Sequence, residues 1–73
     1  MEKIEDYEVI SAYDYFKGKT TDQIDSIINH YGSDEMAILT DMEDKYPEDK
    51  YFVLVDYIDD RNLGYFHIRV WKK

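Results

Sequence analysis

Between Tyr51 and Trp71 two apolar runs flank a polar knot, and this pattern reads as one β-hairpin. In the first run Phe52, Leu54 and Ile58 alternate with Tyr51, Val53, Val55 and Tyr57; in the second Phe66, Ile68 and Val70 alternate with Tyr65, His67, Arg69 and Trp71. Successive side chains point to opposite faces of a strand, so the register decides which set is buried. The expected register sets Leu54 opposite Ile68, Phe52 opposite Val70 and Val55 opposite His67, whereas a one-residue slip sets Leu54 against Arg69. It leaves Asp60, Arg61 and Asn62 as a three-residue loop, with Asn62 in the left-handed position that asparagine tolerates.

The rest of the chain has to cover this hairpin. Tyr7 to Phe16 fits a period-two strand broken only at Ser11, but Val9, Ala12, Tyr13 and Phe16 also fit a helical stripe; the β-branched and aromatic content favours a strand. The segment Thr21 to Tyr31 is a clear helix. Thr20 or Thr21 caps it, Gln23 sits three after Thr20 as in a capping box, Ile24, Ile27, Ile28 and Tyr31 make one stripe, and Gly32 ends it as a left-handed residue. From Ser33 to Lys45 a helix start at Ser33, Asp34 and Glu35 competes with the alternation of Met36, Ile38, Thr40 and Met42, which predicts a strand over Met36 to Thr40. Asp41 to Lys50 then reads as an acidic linker interrupted by Pro47.

Seventy-three residues make one domain, in which about 60% of the unfolded chain's surface is buried. Twelve aromatic residues, eight of them Tyr, supply a core whose rings are partly wet. The absence of Cys suits a reducing cytoplasm, the start of the chain is acidic, and no apolar run approaches the ~18 residues of a membrane span, so a cytoplasmic protein is expected. Seventeen Asp and Glu against nine Lys and Arg give a formal charge of −8, which disfavours a phosphate backbone or an anionic membrane and favours a basic partner. An acidic surface also serves solubility alone, and both readings stay open.

No catalytic, cofactor or metal site is expected. The two histidines, His30 and His67, have no nucleophile elbow to serve. The acidic runs fail as calcium loops, because Lys45 breaks the Asp41, Glu43 series and Arg61 stands where the hairpin tip would need an oxygen. Paired carboxylates need a deep cleft to act as acid and base, which a domain of this size seldom has. The remaining constellation is the acids Asp34, Glu35, Asp41, Glu43, Asp44, Glu48, Asp49, Asp56, Asp59 and Asp60, interleaved with Tyr46, Tyr51 and Tyr57. Duplex DNA carries one charge per about 1.7 Å of axis, so carboxylates spaced along an edge can occupy a groove built for phosphates, with aromatic rings as anchors.

From Met36 on, the order of features resembles the uracil-DNA glycosylase inhibitors of bacterial viruses, which are small acidic α+β proteins. The residues that carry the resemblance are Met36-Ala37-Ile38-Leu39-Thr40, an acidic loop with Tyr46 and Pro47, and Tyr51-Phe52-Val53-Leu54-Val55 followed by Asp56. Ile24, Ile27 and Ile28 fall where that family has an apolar helix. The family's Glu-Ser-Ile segment is met here only as Glu8-Val9-Ile10-Ser11, with the order changed. The resemblance implies a class, an acidic phage-encoded decoy of a DNA- or RNA-binding host enzyme such as a glycosylase, a CRISPR nuclease, a restriction enzyme or RNA polymerase.

These readings converge on an α+β domain with an antiparallel sheet, a C-terminal hairpin and one main helix on one face. The expected core is Ile24, Ile27, Ile28, Leu39, Phe52, Leu54, Phe66, Ile68 and Val70, with Leu54→Ala costing about 2–5 kcal/mol. The expected partner-binding residues are Glu43, Asp44, Tyr46, Glu48, Asp49, Asp56, Tyr57, Asp59 and Asp60. The alternative is an interaction module or antitoxin-like protein that binds through a face of Tyr51, Val53, Tyr57, Tyr65 and Trp71. Exposed strand edges also admit a homodimer.

Overall fold

A computed structural model describes residues 1–73 and resolves six elements: β1 (Glu2–Val9), α1 (Ala12–Tyr15), α2 (Thr21–Tyr31), α3 (Asp34–Lys45), β2 (Tyr51–Asp60) and β3 (Leu63–Lys72). The last strand is the central one. The sheet order is β1-β3-β2 and both pairings are antiparallel, so the C-terminal hairpin receives the N-terminal strand on its other side. The class is α+β with a C-terminal hairpin; α3 and α1 pack against the sheet, while α2, the main helix expected to cover it, packs on α3 and α1 instead.

The hairpin register differs from the expected one by one residue. Asp60 pairs with Leu63, leaving only Arg61 and Asn62 in the turn, at φ of 53° and 72°. A two-residue turn with both φ positive follows the right-handed twist of the strands, and this local preference outweighs the unfavourable left-handed conformation of Arg61. Val53 consequently faces Val70, Val55 faces Ile68, and Leu54 faces Arg69. Val53 and Val55 go under the helices, while Phe52, Leu54 and Ile58 go to the uncovered face with Tyr65, His67, Arg69 and Trp71. The aromatic face proposed for an interaction module is therefore divided, with Tyr51, Val53 and Tyr57 on the helix side and Tyr65 and Trp71 on the other.

Upstream, two expected strands are corrected. The N-terminal strand ends at Val9 rather than continuing to Phe16, because Ser11 caps a short helix, accepting from the Asp14 N–H at 3.2 Å. Met36 to Thr40 belongs to α3. Ser33 accepts from the Met36 N–H at 3.2 Å, Asp34 and Glu35 sit in the first turn where the helix dipole favours them, and the helix runs on through Asp41 to Lys45. The helix α2 forms as read: Thr20 and Gln23 make both capping-box bonds, at 3.2 and 2.9 Å, and Gly32 closes it at φ 95°.

The core follows from this arrangement. Val9, Ile38, Met42, Val55, Phe66, Ile68 and Val70 form the main cluster between sheet and α3, and Ala12, Phe16, Ile24 and Ala37 form a second one among the helices. Ile38 and Met42, four apart, point at the sheet, while Ala37 turns to the second cluster and lets the helices approach. Of the expected core, Ile24, Phe66, Ile68 and Val70 are buried, Ile27, Ile28 and Leu39 are partly buried, Leu54 is half-buried on the uncovered face, and Phe52 is 44% exposed.

Candidate partner-binding surface

The acidic run between Glu43 and Asp49 is gathered at one end of the molecule, where α3 gives way to β2. Glu43 and Asp44 stand exposed in the last helical turn, and Glu48 and Asp49 follow in the loop that Pro47 opens. None of these four carboxylates is in an ion pair; Lys45 is engaged by Asp41 at 3.1 Å, and the Lys73 ammonium donates to the Glu48 main-chain carbonyl at 2.6 Å. A helix C-terminus carries negative partial charge, so each acid in the last turn is disfavoured by about 0.3–1 kcal/mol. Local stability would put Lys or Arg there.

Beneath these acids lies a layer of tyrosines. Tyr46 packs edge-to-face on Tyr51, with ring centroids 5.1 Å apart, and both lie against the main core together with Tyr7 and Tyr15. The Tyr15 hydroxyl donates to Asp41 Oδ2 at 2.6 Å, while the Lys45 ammonium sits 5.4 Å from the centre of the Tyr15 ring. Burial first, then the bond to Asp41, pushes the Tyr15 phenol far above the ordinary range; burial also raises Tyr46, with Glu5 adding to it, and Tyr7. All three stay neutral hydrogen-bonding groups.

The other expected partner-binding residues do not join this group. Asp59 and Asp60 are exposed at the hairpin tip, at the far end of the ten-residue strand β2, about 30 Å from Asp49 at ~3.3 Å per residue. Tyr57 stacks on Phe66 with centroids 5.0 Å apart and closes over Gly64, where an added Cβ would collide with its hydroxyl oxygen. Asp56 lies on the uncovered face, holding the Arg69 guanidinium at 2.5 Å.

That face holds an assembly the sequence reading did not single out. His67 meets Asp6 at 2.7 Å, and the bonds from His67 and Lys3 hold the Asp6 carboxyl below its ordinary range. Trp71 packs on Phe52 with centroids 5.6 Å apart, with Lys3 and Arg69 near its ring at 5.8 and 5.7 Å. The signal was present in the alternation of Tyr65, His67, Arg69 and Trp71, but only the register shows that Asp56 and Asp6 are their neighbours. Elsewhere, Phe16, Lys19, Ile27, Tyr31, Ala37, Asp41 and Asp44 line a groove of about 170 Å³ between the helices.

These features define a small α+β domain with a one-sided helical layer, an acidic end and a mixed, partly aromatic open sheet. No family model matches the chain, and no curated protein or solved structure matches it. No helix is long and apolar enough to cross a membrane.

Proposed function

We propose that this protein is an acidic ligand for a basic, nucleic-acid-binding protein, occupying the groove that its partner uses for phosphates. The observation that supports this reading most is the placement of Glu43, Asp44, Glu48 and Asp49: four unpaired carboxylates, two of them at the end of α3 where the dipole opposes them. Residues kept against local stability mark functional surface more often than structural surface. Asp59 and Asp60 repeat the charge about 30 Å away, close to one ~34 Å turn of duplex, so the two ends of the hairpin can face phosphate sites a helical turn apart. The inhibitor class implied by the resemblance to the viral glycosylase inhibitors is consistent with this chemistry.

The test is competition. The partner captured from a host lysate is purified, and its binding to this protein is measured against increasing concentrations of a short duplex and a single-stranded oligonucleotide. Displacement by either is the expected result; a ternary complex with unchanged affinity removes the reading. A second reading, adhesion through the uncovered sheet face, draws on the exposed Phe52 beside Trp71. In that case Phe52→Ser abolishes binding while neutralising the four acids does not.

A further inference from the structure

The outer edge of β2 is unpaired along its length, and its chemistry selects an occupant. At the turn Asp60 pairs with Leu63, and at the other end of the hairpin the Lys73 N–H donates to the Lys50 carbonyl at 2.9 Å. Antiparallel pairs alternate between bonded and non-bonded, so the even-numbered residues of β2 direct their amide groups to β3. The odd-numbered ones direct theirs outward. Of these, Tyr51 uses its N–H on the Pro47 carbonyl at 2.9 Å, whereas Val53, Val55, Tyr57 and Asp59 meet no strand. Each offers one N–H and one C=O.

The two edges of the sheet are built differently. β1 has an irregularity between Lys3 and Glu5 and carries charge at Glu2, Lys3, Glu5, Asp6 and Glu8, which are the usual guards against strand addition. From Tyr51 to Ile58, β2 has no proline, no lysine and no bulge, and its one charge, Asp56, is held by Arg69. Large apolar side chains remain exposed on both of its faces, Phe52 at 44% and Tyr57 at 54%. Exposed carboxylates bracket this apolar stretch, Glu48 and Asp49 before it and Asp59 and Asp60 after it, and they outnumber the one cation beside each pair, Lys50 and Arg61.

We propose that the β2 edge accepts an extended segment of the protein's partner as a fourth strand, a segment with alternating β-branched or apolar residues in the middle and Lys or Arg at both ends. Main-chain bonds to Val53, Val55 and Tyr57 supply the pairing, and the bracketing acids select the flanks. A second copy of this chain is a poor occupant. Each end segment, Glu48 to Lys50 and Asp59 to Arg61, holds two acids and one base, so pairing two β2 edges in either direction brings net negative charge together at both ends. The basic flanks rest on the reading of the protein as a ligand of a basic partner; the strand addition itself rests on the edge.

The probe is a synthetic ten-residue peptide, matched to the ten residues of β2, with Val and Thr alternating between two Lys at each end. Titrated into the isotopically labelled protein, it is expected to slow amide exchange at Val53, Val55 and Tyr57, and a version with Ser in place of Lys is expected to bind at least about tenfold more weakly at low salt. Val53→Pro is expected to lower affinity by at least about tenfold with the circular dichroism spectrum kept, because an edge position whose N–H points outward tolerates proline. Undiminished binding by a folded Val53→Pro protein, protection mapped to other elements, or equal binding of the Ser-flanked peptide overturns the proposal. Should Val53→Pro unfold the chain, the exchange map on the unmodified protein decides. Concentration-dependent protection of the same amides without peptide gives the edge to a second copy and overturns the choice of occupant. Failure here with oligonucleotide competition intact leaves the proposed function standing; edge binding by the peptide without competition at the partner removes the proposed function instead.

Discussion

Truncating Ile68 and Leu54 separately distinguishes the two hairpin registers by energy. Ile68 is fully buried at the centre of the sheet, between Tyr7 and Val55 and beneath the layer that holds Ile38 and Met42. Removing its side chain to Ala costs about 2–5 kcal/mol in transfer and cavity terms. A domain of this length has about 4–11 kcal/mol in total at 0.05–0.15 kcal/mol per residue, so Ile68→Ala leaves a protein at the margin of folding. Leu54 sits half-buried on the uncovered face opposite Arg69, and water already reaches it. Leu54→Ala should therefore cost less than about 1.5 kcal/mol, below the value expected when Leu54 is placed in the core. Urea denaturation followed by Trp71 fluorescence and by far-ultraviolet circular dichroism gives both numbers. Equal losses for the two variants, with unchanged slopes, would refute the register and the one-sided core.

Three further outcomes follow from particular contacts. Because burial and Asp41 raise the Tyr15 phenol above its ordinary value of 10.0, the stabilisation tied to neutral Tyr15 is complete below pH ~10 and is lost as pH rises beyond it; Tyr15→Phe should flatten that alkaline limb in denaturation curves measured between pH 8 and 12. Gly64→Ala should expel the Tyr57 ring from its place over residue 64, seen as loss of ring-current shifts at Phe66, and in a double-mutant cycle Tyr57→Ala should remove the stability difference that Gly64→Ala makes. Thr20→Ala should cost about 1 kcal/mol by opening the capping box, measured as a lower thermal midpoint with the native spectrum kept.

What could be read from the sequence depended on whether a signal was local. α2 was legible because Thr20, Gln23 and Gly32 act within a few residues of themselves, and the structure uses all three. α3 was obscured because Met36, Ile38, Thr40 and Met42 alternate as a strand would, although Ile38 and Met42 also stand one helical turn apart. The cap at Ser33 was the better guide. The hairpin was legible as an element, but its register hung on a turn of Arg61 and Asn62 that lacks the glycine usually marking a two-residue connection, and one residue of slip moved Phe52 and Leu54 out of the core. At the candidate site, the run from Glu43 to Asp49 stays together because it spans a helix end and a tight loop. Asp56, Asp59 and Asp60 are near in sequence to that run yet separate in space, since a strand carries each residue about 3.3 Å further on and alternates its faces.

The role proposed for the acidic end is tested most directly by the rate at which the protein binds the proposed basic partner. Association of the unmodified protein and of the variant Glu43→Gln, Asp44→Asn, Glu48→Gln, Asp49→Asn is followed by stopped flow from low to physiological salt, where the Debye length shortens to about 8 Å. Steering by exposed carboxylates requires a steep fall in the on-rate with salt for the unmodified protein, and a lower, flatter profile for the variant with its thermal midpoint little changed. An on-rate indifferent to salt, and equal in the two proteins, would contradict the role assigned to these four residues.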